Sequence, residues 1–325
     1  MTAMEAFDCD GLSDLGHIRG VNGDQFLIAE LRKSIFIHKT SIDFEDHTSV
    51  FSGAQSHLLM VADGGGGWTA ERQASDLAVR TLTQYILNMM PWLYRLDTRH
   101  EDDFLEDLTS ALKRSQNRIE DVSEATDAPR DMGAALTMAY ISWPRLYVVH
   151  VGNCRCYLLR QGILEQITTD HTLAQQLLES GVLQQKEMST SKLSQVLWNA
   201  IGGDIEELNP EVYKAQLQPG DTLLLCTDGL SKHVTKDVIR ECLQVQEPAS
   251  TTCQKLVHMA RADGGTDNIT AVVARFHREA QSVDDALAEM AEPTPSATTF
   301  SPMAPASDRL ATEATEATVP VATAR

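Results

Sequence analysis

The 325-residue sequence predicts an α+β fold built on antiparallel sheets. Short apolar runs rich in β-branched residues follow one another with only turns between them, and helical periodicities come in pairs between those runs. A repeating strand–helix–strand pattern, the mark of a parallel sheet, is missing. Apolar residues make up 42% of the chain, enough for a sizeable core.

In chain order, Phe26–Ala29 and His57–Ala62 read as strands. Ala74, Leu77, Ala78, Leu82 and Ile86 then recur at helical spacing, as do Phe104, Leu108, Leu112 and Ile119. The acidic stretch Glu101–Asp107 opens the second of these helices, where negative charge suits the helix dipole. Ala134–Ile141 and Leu146–Val151 are strands, and Cys156–Arg160 forms a hairpin with Ile163–Ile167 around Gln161-Gly162. Thr222–Cys226 and Ile269–Ala274 complete the strands, with helices at Asp237–Gln244 and Thr251–Arg261 between them. Residues 1–278 form one domain; 279–325 are rich in Ala, Thr, Ser and Pro and read as a disordered acidic tail, with room for a short helix near Val283–Met290.

Lys and Arg total 27 against 46 Asp and Glu, a net charge of −19. This argues against a nucleic-acid partner, because such binding relies on Lys and Arg replacing counterions. The start, Met1–Asp10, lacks a signal-peptide pattern, and no apolar run approaches the ~18 residues of a spanning helix. The six cysteines show no Cys-x-x-Cys spacing. Free, mostly buried thiols in a cytoplasmic protein without a membrane anchor are the expectation.

Two apolar runs end alike, in Asp63-Gly64 and Asp228-Gly229, and a third aspartate, Asp267, stands just before a strand. In an antiparallel sheet the start of one strand lies beside the end of its neighbour, so the three carboxylates are expected at one sheet edge. Such a cluster repels itself unless protonated or bridged by cations, and oxygen-only ligands suit Mg²⁺ or Mn²⁺. Taken singly, each of these dipeptides reads as a turn; their joint pattern carries the argument.

That pattern resembles the metal-dependent protein phosphatases of type 2C, in their compact bacterial form. The resemblance runs through Ser13–Asp24, Val61–Gly67, Met132–Thr137, Val151–Arg155, Thr169–Thr172, Pro219–Leu230 and Asp267–Asn268, in family order and spacing. It implies a four-layer α/β/β/α sandwich with two Mn²⁺ or Mg²⁺ ions at one end. Asp63 and the carbonyl of Gly64 are the expected metal ligands, with Asp228 and Asp267. Asp24 accepts hydrogen bonds from metal-bound water, and Arg19 grips the substrate phosphate. The implied activity is hydrolysis of phosphoserine and phosphothreonine in proteins by a hydroxide bridging the two metals. The chain would act as a monomer and oppose a serine/threonine kinase. Residues 171–210 correspond to a mobile flap, with Gly181, Gly202 and Gly203 as hinges, that shapes substrate choice.

Four positions depart from the family pattern. Asn153 replaces the aspartate linked to a third, weaker metal, so that ion is not expected. Gly23 stands where Glu or Gln is common, Gly65 where Met or His is common, and Cys154 where a small hydroxyl residue is common. These departures define the alternative: a catalytically impaired relative acting as a phosphoprotein-binding or regulatory module. Two other signatures are decoys. Cys154 to Arg160 has cysteine-phosphatase spacing in strand-like text, and Gly64–Gly67 lacks the Gly-Lys-Ser/Thr of a phosphate-cradling loop and reads as a flexible turn. His171 is expected to be a structural hydrogen-bonding residue.

Overall fold

The computed structural model describes residues 7–36, 49–65, 68–89, 101–126, 132–188, 191–203, 205 and 207–277. The tail from 279 and its expected short helix lie outside these residues. Strands β1 (Phe7–Asp14), β2 (Asp24–Phe36) and β3 (Ser49–Gly65) are followed by helices α1 (Trp68–Met89) and α2 (Glu101–Thr126). Next come β4 (Gly133–Ser142), β5 (Arg145–Val151), β6 (Arg155–Arg160) and β7 (Ile163–Gln166). A connecting region holds α3 (Leu173–Glu179), α4 (Gln185–Met188), a 3₁₀ turn at Lys192–Gln195 and β8 (Ile201–Gly202). The chain closes with β9 (Glu211–Gln216), β10 (Thr222–Cys226), α5 (Asp228–Ser231), α6 (Lys236–Gln244), α7 (Ala249–Ala262) and β11 (Ile269–Phe276).

The strands form two antiparallel sheets, one in the order β1-β11-β10-β6-β7 and the other β2-β3-β4-β5-β9, with β8 added to β4. Strict period-2 alternation explains why the sheets stack. In β3, Leu58 and Met60 face Ala74, Ala78 and Leu82 of α1, while Leu59 and Val61 face the opposite sheet. In β10, Leu223 and Leu225 meet that inter-sheet core, and Leu224 and Cys226 pack under Ile239, Leu243 and Leu256 of α6 and α7. Strands buried on both faces read as unbroken apolar runs, which is why the sequence reveals them so plainly. The four-layer sandwich is therefore present. The β6–β7 hairpin turns on Gln161 and Gly162, both with positive φ (50° and 80°), a geometry the Gln-Gly pair allows at modest cost.

Two expectations need correction. The paired Asp-Gly glycines do not make unusual turns: Gly64 lies within β3 and Gly229 within α5, and neither is among the glycines with positive φ. They are glycines because of close approach. A Cβ on Gly64 would stand 1.8 Å from the carbonyl oxygen of Glu71, and one on Gly229 1.9 Å from that of Asn268. The Gly64–Gly67 run is thus a strand end at its first two residues, closely packed at Gly64 and exposed at Gly65, and 66–67 lie outside the described residues.

Leu225 is fully buried between the sheets, so Leu225→Ala is expected to cost about 2–5 kcal/mol, whereas Leu87→Ala on the exposed face of α1 should stay within about 0.5 kcal/mol. Urea unfolding checks both: the midpoint should fall for the first at unchanged slope and stay put for the second.

Candidate metal and phosphate site

The carboxylates gather at the junction of the two sheets, not along the edge of one. Asp24 and Asp63 are direct cross-strand partners in β2 and β3, while Asp228 follows β10 and Asp267 precedes β11 in the other sheet. Asp63, Asp228, Asp267, Arg19, Glu71 and Asn153 line one cavity of about 670 Å³. Gln195–Leu197, Ala200 and Gly202–Gly203 line it as well.

Asp24 is buried behind this cavity. Its Oδ2 accepts hydrogen bonds from the hydroxyls of Thr227 (2.7 Å) and Thr270 (2.6 Å). Burial nevertheless pushes its pKa up to about 7, against those two hydrogen bonds and with added repulsion from Asp228 and Asp267. Asp63 is raised well above the carboxylate range by burial, then by Asp24 and Asp228. Asp228 is raised by burial too, although Lys232 works the other way. Asp267 alone is lowered: Lys232 and Arg19 outweigh its partial burial.

Two cations of the chain itself sit among these acids. Arg19 donates from Nε to Asp267 Oδ1 at 2.8 Å and from Nη1 to Glu71 Oε1 at 3.2 Å. Lys232 Nζ lies 2.7 Å from Asp228 Oδ2 and 3.2 Å from Asp267 Oδ2. The sequence reading missed Lys232, although its signal is an i,i+4 spacing from Asp228 across one helical turn. It also missed Glu71, Thr227 and Thr270, which become site residues only through tertiary contact.

Asn268 positions the Arg19 loop. Its Oδ1 accepts from Gly23 N at 2.8 Å, and its Nδ2 donates to the carbonyls of Leu15 (2.9 Å) and Val21 (3.2 Å). An aspartate there would offer no donors, which explains an amide directly after Asp267. Asn153 donates from Nδ2 to Asp228 Oδ2 at 2.7 Å, so this position presents a donor to the cluster where a carboxylate would present an acceptor.

The cysteine signature is a decoy, as expected. Cys154 is buried and burial drives its thiol well above the ordinary value, the opposite of a nucleophilic thiolate. Arg155 forks onto Asp170. His171 is buried, and its Nδ1 accepts from Gly152 N (3.2 Å) and Asn199 Nδ2 (2.9 Å), tying the residues before β8 to the loop that carries Asn153.

A divalent cation has physical grounds here. Asp24 Oδ1 and Asp228 Oδ1 are buried with no hydrogen-bond partner among the described residues. Five carboxylates share two side-chain cations, all donors are hard oxygens, and three of the aspartates are held above their normal range by burial, with repulsion from neighbouring carboxylates added. Among the described residues, though, no three His, Cys, Asp or Glu side chains already stand as a metal cage. Arg19 and Lys232 draw Asp267 and Asp228 into ion pairs instead.

A carboxyl raised in the folded state gives stability that is present below its unfolded value and lost as pH climbs through the folded one. For Asp24 that window runs from 3.8 to about 7. In chelator-treated protein, urea midpoints should therefore fall relative to those of Asp24→Asn as pH rises across this window. Parallel profiles for the two proteins would contradict it.

Comparison with known proteins places the chain. The family model described as Protein phosphatase 2C matches residues 78–269, more than half of its length. The serine/threonine protein phosphatase PstP of Mycobacterium tuberculosis is 34% identical over 226 residues, which span 70% of this chain and 41% of that protein. The serine/threonine phosphatase stp of Listeria monocytogenes is 28% identical over 230 residues, 70% of this chain and 88% of that protein. Among solved structures, that of M. tuberculosis PstP matches 84% of this chain and 99% of its own with a TM-score of 0.67 at 29% identity. The PstP catalytic domain in complex with two manganese ions matches over the same shares with a TM-score of 0.65. The motifs, the two stacked sheets and the family match agree: this chain belongs to the protein phosphatase 2C family.

Proposed function

We propose that the chain is a metal-dependent protein serine/threonine phosphatase. The observation that carries this reading is a surplus of buried, under-partnered carboxylate oxygens beside a guanidinium in one open cavity. Its similarity to PstP, whose catalytic domain is solved with two manganese ions, supports the same reading. Asp63 and the Gly64 carbonyl would hold ions on one wall, and Asp228 and Asp267 on the other. When bound, two Mn²⁺ or Mg²⁺ ions supply a hydroxide nucleophile near neutral pH and neutralise charge on the phosphate.

The residues around them divide the remaining work. Arg19 spends one Nε and one Nη1 hydrogen on Asp267 and Glu71 and is 40% exposed, so three of its five donors remain for phosphate oxygens. Asp24 keeps Oδ2 on its two threonines, which leaves Oδ1 as an acceptor for a bound water. Asn153 offers Asp228 an amide donor, which supports two ions and no third. The substrate would be a phosphorylated protein, set against a serine/threonine kinase, and the chain would act as a cytoplasmic monomer. Among the described residues no helix is long and apolar enough to cross a membrane.

Phosphate release from a phosphothreonine peptide should require Mn²⁺ or Mg²⁺. Asp228→Asn should reduce kcat/KM by roughly 100-fold or more, and Arg19→Ala should act mainly by raising KM. Wild-type protein that releases no phosphate, or an unimpaired Asp228→Asn, would favour the phosphoprotein-binding alternative.

Gln195–Leu197, Ala200 and Gly202–Gly203 of segment 191–203 line the same cavity as the acids, and β8 fastens the segment to β4 through Gly133–Gly202 and Ala134–Ile201. We assign it the choice of peptide. Replacing 191–200 with the equivalent stretch of a relative should alter peptide kcat/KM more than hydrolysis of a small aryl phosphate. Equal losses on both substrates count against that role.

A further inference from the structure

Gly23 lacks the side chain that the family pattern places before Asp24, and the space it vacates is filled. A Cβ built on Gly23 would stand 3.0 Å from the Cβ of Glu71 and 3.6 Å from Glu71 Oε2. Side chains at 23 and 71 therefore compete for one volume. Helix α1 is pressed into this place by two further contacts: Ser75 Oγ donates to the Gly23 carbonyl at 2.5 Å, and the Glu71 carbonyl lies where a Cβ on Gly64 would be. Glu71 is buried, reaches the cavity, and holds Arg19 through Oε1.

We infer that Glu71 and Gly23 are an exchanged pair. The acidic side chain that belongs on this wall comes from α1 in this protein, and Glu71 is a positioning residue that orients Arg19 and adds negative charge beside Asp63. The inference deepens the phosphatase reading and rests on it for the role of Arg19. Among the described residues that line the cavity, Glu71 is the only glutamate. Long, buried and fixed at its root by Gly64 and Ser75, it reaches the wall that a residue at 23 would reach from the strand.

The test uses the full chain and Mn²⁺ as probe. Outer-sphere partners of metal ligands are typically worth ~10–100-fold in metal affinity or activity. Glu71→Gly should weaken Mn²⁺ binding in calorimetric titration by about 10-fold or more, and should raise KM for a phosphopeptide more than it lowers kcat. Adding Gly23→Glu to Glu71→Gly should recover most of both losses, since the two proteins share the same helix glycine and differ only in the restored acid. Glu71→Gln keeps an oxygen acceptor for Arg19 without the charge, so it should retain the wild-type KM while binding Mn²⁺ more weakly. If the double variant fails to fold, as judged by circular dichroism, Glu71→Gln decides. Wild-type Mn²⁺ affinity in Glu71→Gln, or a folded double variant no better than Glu71→Gly, overturns the exchange. A wild-type chain without phosphatase activity would instead sink the phosphatase reading, and the Mn²⁺ titrations would still score Glu71.

Discussion

Asp24 and Asp63 face one another across adjacent strands, and two more aspartates approach from the second sheet. Like charges directly opposite in a sheet are destabilising, and burial raises the penalty by removing water. The architecture around this junction is a set of answers to that repulsion. Thr227 and Thr270 solvate one oxygen of Asp24 from the second sheet, and thereby also join the two sheets. Lys232 spans Asp228 and Asp267, and Arg19 spans Asp267 and Glu71. Each answer is partial, because burial and mutual repulsion still hold Asp24, Asp63 and Asp228 above the carboxylate range.

What the sequence made legible follows from the same physics. Leu58–Ala62 of β3, Leu223–Cys226 of β10, Ala271–Ala274 of β11 and most of β4 are buried on both faces, so their apolar runs stand out. Strand β1 does not, because it is an edge strand of half-buried residues whose polar members have tertiary duties: Asp8 Oδ2 caps α7 by accepting from Ala249 N. Strand β8 is only two residues long and exists through its pairing with β4. Asp63, Asp228 and Asp267 were readable as a set because Asp-Gly and Asp-Asn follow or precede apolar runs. Their expected meeting at one sheet edge was wrong because β3 belongs to a different sheet from β10 and β11.

The glycines teach a related point. Asp-Gly invites a reading as a turn, yet Gly64 and Gly229 are required by what lies beside them, the backbone of Glu71 and of Asn268. Each brings a second element within contact of an aspartate: α1 against Asp63, and the start of β11 against Asp228. A glycine next to a clustered aspartate can thus mark where two parts of the chain converge, which a linear reading cannot distinguish from a bend.

Lys232 sharpens what cation binding demands of this chain. Its ammonium and the Asn153 amide both satisfy Asp228 Oδ2, while Asp228 Oδ1 stays buried without a partner. A divalent ion that takes Asp228 and Asp267 together must share or displace the ammonium. The ion then loses part of its Coulomb gain to a charge already in place. The lysine in turn loses a contact that costs little to keep, because it closes over one helical turn. Arg19 also holds Asp267, through Oδ1, but an anion can use the donors that Asp267 and Glu71 leave idle. The two cations therefore differ in kind. Arg19 pairs with Asp267 through one donor and keeps others for an anion, whereas Lys232 bridges both Asp228 and Asp267 and so would compete most directly with any divalent charge drawn to that pair.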